Sequence, residues 1–160
     1  MKKKENKENR DSNLVGKLNS LLASYQVAYF NFRSSHWMIK GENFFELHKV
    51  FETAYNDATE KIDEIAERIL TLGGTPLLTA TEMIKRSNIN ENGESGKQEK
   101  CVADMLHDLK ALAVIENQIV KLADEQDDVV TADQMTKYLG EQQKISWMLS
   151  QFLNKKSSIN

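Results

Sequence analysis

The strongest constraint on this chain is where proline is missing: it occurs once, at Pro76, so the stretches on either side are free to be helix. The apolar residues take up that freedom. Leu14, Leu18, Leu21, Tyr25, Ala28 and Phe32 step by 4, 3, 4, 3 and 4, which lays them along one face of a helix from about 13 to 39. The same step carries Phe44, His48, Phe51, Tyr55, Ala58, Ile62, Ile65, Ile69 and Leu72 through a second helix, which Gly73 and Gly74 stop. Val102, Met105, Leu109, Leu112, Ile119 and Ala123 predict a third helix over about 97–124, and Met135, Leu139, Leu149 and Phe152 a fourth over about 131–154. No window alternates with period 2. The expectation is an all-α four-helix bundle with a tight turn at Gly41 and a long link between the second and third helices. Within that link, Thr79 and Glu82 have the spacing of a capping box and predict a short extra helix.

Composition closes off other classes. With 160 residues, 40% hydrophobic and 28% charged, the chain is one ordinary globular domain over 13–154, and no apolar run approaches a membrane span. The lysine-rich start MKKKENKENRDSN lacks an apolar stretch, so the expectation is a cytoplasmic protein without a secretory signal. Cys101, the single cysteine, excludes a disulfide-stapled fold and a structural zinc module and reads as a small apolar residue. Lys2, Lys3, Lys4, Lys7 and Arg10 outweigh Glu5 and Glu8, giving residues 1–10 a formal +3 against −6 for the rest. Residues 1–12 therefore read as a flexible basic arm on an acidic body, and 155–160 as a polar tail.

The second helix carries residues its packing does not require. His48, Glu52, Asp63 and Glu67 fall on one flank, and imidazole with carboxylates suits iron or manganese. Glu52 and Asp63, however, stand roughly 16 Å apart along the axis, too far for one metal within one chain. Two second helices packed antiparallel about a two-fold would bring His48 and Glu52 of one chain to Asp63 and Glu67 of the other, making two identical sites. His36, about as far before Gly41 as His48 is after it, comes to the same level in a hairpin and joins the set.

The run from His36-Trp37 through Gly41, Phe44-Phe45, His48 and Glu52, then Asp63, Glu67-Arg68 and Leu72-Gly73-Gly74, closely resembles the ferroxidase signature of the Dps family, the ferritin-like mini-ferritins. The family more often has Asp at the position of Glu52. The resemblance implies a ferritin-like bundle and a stress-response enzyme, a hollow dodecamer that oxidises Fe(II), preferentially with hydrogen peroxide, and stores Fe(III). It further implies that His36, Asp63 and Glu67 hold the first iron across a two-fold interface, that His48 and Glu52 support a second, and that Trp37 is a radical sink. Asp128 and Asp133 match the family's pore through which iron enters, although both also suit helix caps.

Glu116 reads as an interface or edge residue, because the chain has no Glu-x-x-His pairs of the kind ordinary ferritins place inside each bundle. Asp104 and His107 read as a solvated face. The alternative function is a nucleoid-associated, DNA-binding structural protein with incidental metal affinity, for which the basic arm is the support. DNA as a partner of that arm and a solvated tail both stay open.

Overall fold

The computed structural model describes residues 2–93 and 96–154, with side chains from Leu14 onward. Five helices follow one another: α1 (Lys2–Met38), α2 (Phe44–Thr71), α3 (Ala80–Arg86), α4 (Gln98–Asp124) and α5 (Val129–Phe152). Among the described residues there is no strand, and Lys40 and Lys97 form one isolated bridge. α1 begins at Lys2 rather than near residue 13. Nothing between Lys2 and Val15 breaks a helix, and Lys, Glu and Arg favour one, so the backbone of the expected arm continues α1. The side chains of Lys2, Lys3, Lys4, Lys7 and Arg10, and the tail 155–160, lie outside the described residues.

The periodic residues make the core. Leu14, Leu18, Leu21, Tyr25, Ala28 and Phe32 of α1 are buried with Phe51, Ala58, Ile65 and Ile69 of α2 and with the whole predicted stripe of α4. α2 ends where Gly73 turns to φ +78° and the Gly73 and Gly74 amides donate to Leu70 and Ile69 carbonyls at 2.9 Å. A residue with a Cβ is strained there.

The crossover runs along α1 from Gly16 to Asn31 and is tied to it by hydrogen bonds. Asn19 donates to the Thr75 carbonyl and accepts from the Leu77 amide, Arg86 donates to Ser20, and the Asn88 amide donates to Ser24. Further along, Asn31 donates to the Asn90 carbonyl and accepts from the Asn92 amide, and past the end of α1 the Lys40 amide donates to the Gly96 carbonyl. α3 opens with Thr79 Oγ1 accepting from the Glu82 amide, while the Thr79 hydroxyl donates to the Glu82 carboxylate at 2.7 Å.

Glu116 is not an edge residue. It is fully buried in the bundle, where Tyr25 Oη and Gln142 Nε2 both donate to its Oε1 at 2.7 Å. A charged residue on a helical stripe reads as surface, but here polar groups from α1, α4 and α5 meet at Glu116 Oε1, while Glu116 Oε2 and Gln142 Oε1 have no partner. Burial pushes the Glu116 carboxyl up to about 7, against the pull of Tyr25 and Gln142. A raised acid pKa means that the folded chain keeps this proton after the unfolded chain has lost it. The resulting stability penalty is absent at low pH, grows as pH rises from about 4.5, and is complete above about 7. Glu116→Gln is therefore expected to match the wild type near pH 5 and to exceed it at pH 8, by on the order of 3 kcal/mol. Thermal melts at the two pH values check this, and an equal difference at both would remove the titration from the account.

Candidate metal centre

The turn after α1 sets the two histidines face to face. Gly41 takes φ +120°, and a Cβ there would collide with Gln98, whose Oε1 accepts from the Asn43 amide that opens α2. The His36 and His48 rings stack, with centroids 3.7 Å apart and planes at 21°. Each Nδ1 lies against the other's main chain: His36 Nδ1 is 2.9 Å from the His48 carbonyl oxygen, and His48 Nδ1 is 2.8 Å from that of His36. A carbonyl only accepts, so both Nδ1 atoms carry the proton, which leaves the lone pair of each neutral ring on Nε2. Anchoring one ring nitrogen on a carbonyl so that the other faces a metal is the usual support for a ligating histidine. Tyr55 packs edge-on against His36 at 5.3 Å and Phe44 stacks on His48 at 4.9 Å, fixing both rings.

The carboxylates are placed differently. Glu52, one turn past His48, is paired with Lys49 at 2.8 Å, and that ammonium holds its carboxyl below the usual range. Asp63 and Glu67 are exposed further along α2. Among the described residues of one subunit, no three His, Cys, Asp or Glu side chains converge as a metal site. The structure thus brings together His36 and His48 and leaves Asp63 and Glu67 apart from them. What one subunit holds is chemically suited to a metal, two Nε2 donors and three carboxylates on neighbouring faces, but divided into two halves.

Trp37 is 65% exposed, with the Arg33 guanidinium 4.9 Å from its ring centroid. Asp128 caps α5, accepting from the Thr131 amide at 3.1 Å, and its Oδ1 pairs with Arg68 at 2.7 Å. Burial alone would raise its pKa, but the Thr131 hydroxyl and the Arg68 guanidinium prevail and hold it below the usual range. Asp133, one turn on, is exposed. Asp104 pairs with Lys100 at 2.7 Å and His107 is solvated, while Cys101 is buried.

Lys61 was missed by the sequence reading. It is buried at the centre of α2, where Asp57 at 2.6 Å and Glu141 at 2.8 Å flank its ammonium. Desolvation would lower its pKa, but these two carboxylates overcome that and raise it. The only sequence signal was a lysine with an acid one turn earlier.

The sequence matches the ferritin-like domain family over residues 15–159. It is 39% identical over 149 residues to the DNA protection during starvation protein of Porphyromonas gingivalis, covering 93% of this chain and 94% of that one. The structure superposes on the Dps protein of Vibrio cholerae with a TM-score of 0.88 at 39% identity, over 91% of each chain. On Dps from Staphylococcus aureus the TM-score is 0.85 at 33% identity, over 89% of this chain and 95% of that one. The Vibrio protein is described as a member of a broad superfamily of ferritin-like diiron-carboxylate proteins. No described helix is long and apolar enough to cross a membrane. With a matching domain, a relative of 39% identity along nearly its whole length and a matching bundle, this chain belongs to the Dps family of ferritin-like proteins.

Proposed function

We propose that this protein is a ferroxidase that oxidises Fe(II), preferentially with hydrogen peroxide, and stores Fe(III) inside a hollow dodecamer. The observation that carries the reading is the reciprocal pair of Nδ1–H bonds, which aims two ligand-ready imidazoles from one hairpin. Each centre takes His36, His48 and Glu52 from one subunit and Asp63 and Glu67 from its two-fold partner. His36, Asp63 and Glu67 hold the first ferrous ion, and His48 with Glu52, released from Lys49, holds the second more weakly. Two ferrous ions give one electron each, the O–O bond of peroxide breaks, and two protons complete two waters. No one-electron step is left to release a hydroxyl radical, and Trp37 beside His36 takes stray oxidising equivalents. Asp133 and, behind its Arg68 pair, Asp128 line the pore through which iron enters, where a ring of carboxylates concentrates cations. The experiment is to measure which oxidant disappears on iron addition, alongside the assembly mass. Two irons oxidised per peroxide in a twelve-subunit particle is the expected result, and oxygen consumption with peroxide untouched would reject it.

A second reading, DNA binding, is favoured by the name of the relatives and by the basic residues Lys2, Lys3, Lys4, Lys7 and Arg10. An arm repeated over many subunits multiplies weak phosphate contacts, which salt weakens. Deleting residues 2–10 is expected to abolish retardation of long DNA at low salt and to leave iron oxidation unchanged. Retardation that survives the deletion would put the contact on the acidic body.

A further inference from the structure

A cavity of about 190 Å³ lies inside the bundle, reached between α2 and α5. Its wall is mostly apolar, from Phe32, Ala54, Met105 and Ile145, and Lys61 with Asp57 and Glu141 stands at its rim. Gln142, 3% exposed, lines it together with Tyr25 and Thr53. With Glu116 ionised, Tyr25 Oη and Glu116 Oε1 both accept from Gln142 Nε2 at 2.7 Å each, which sets the amide orientation. Gln142 Oε1 is then left buried with no donor. An unmet buried acceptor is costly, and a molecule that supplies one donor relieves it.

We propose that this cavity is a binding site for a small aromatic molecule with a single hydroxyl, a phenol, whose O–H donates to Gln142 Oε1. The volume exceeds the roughly 150 Å³ that accommodates benzene in an apolar protein cavity. A ring with one donor matches both features: its body meets Phe32, Met105 and Ile145, and its hydroxyl meets the one amide oxygen without a partner. The site is separate from the His36–His48 pair and does not depend on iron.

Calorimetric titration of the assembled full-length protein with phenol and with toluene tests this. Phenol is expected to bind saturably and at least tenfold more tightly than toluene, which has the same ring and no donor. Absence of phenol binding, or equal binding of the two, would overturn the proposal. Ala54→Leu, which fills the cavity, is expected to weaken phenol at least tenfold; a folded variant that binds phenol as before places the site elsewhere. Gln142→Met keeps the volume and removes the acceptor, so the preference for phenol over toluene should collapse to about one. An undiminished preference in that variant would remove Gln142 from the site.

Discussion

Asp63→Ala and Glu67→Ala are each expected to abolish rapid peroxide-driven ferrous oxidation while leaving the bundle folded. Each removes an anionic ligand from the proposed first iron position, where even supporting residues are worth 10–100-fold, so a loss beyond about 100-fold is expected. Both residues are exposed on α2, away from the core, and alanine is the best helix former. Such surface changes shift stability by no more than about 0.5 kcal/mol. Stopped-flow absorbance after mixing Fe(II)-loaded protein with peroxide reads the chemistry, and a thermal melt and particle mass read the fold. Wild-type rates in both variants would sink the ligand assignment without touching the family membership.

Mixing His36→Ala chains with Glu67→Ala chains should restore activity that neither has alone. In a two-fold pair made from one of each, one site combines the damaged histidine with the damaged carboxylate. The other combines the two undamaged halves. Random pairing at equal amounts leaves about a quarter of all sites intact, and the recovered rate should approach that fraction of wild type. The chains must be unfolded and reassembled together, with hybrid particles verified by mass. Verified hybrids as inactive as both parents would place the complete site within one subunit, against the separation along α2.

The helices were legible because their apolar residues keep one step over many turns, and the stripes of α1 and α4 are buried throughout. α5 was the least legible: its stripe lapses between Leu139 and Leu149 because Gln142 and Ser146 take core positions. A pattern of apolar spacing does not see a buried polar residue, and for the same reason Glu116 and Lys61 were placed wrongly or missed. The level of His36 and His48 followed from counting residues around Gly41. Their mutual main-chain bonds did not, because these depend on side-chain rotamers and on the exact path of the turn. The Lys49–Glu52 and Arg68–Asp128 pairs are likewise products of tertiary placement.

The hydrogen bonds along α1 have a consequence for how such subunits can join. Leu21, Leu22, Ala23, Ser24 and Tyr25 are consecutive and all at most 2% exposed, so this part of α1 is enclosed on every side by its own chain. Asn19, Ser20, Ser24 and Asn31 are spent on the crossover. The middle of α1 is therefore an internal axle, with no face to offer a neighbour. Any symmetric shell built from this subunit must take its contacts from the outer elements, and changes made to those contacts can retune the shell without disturbing the axle.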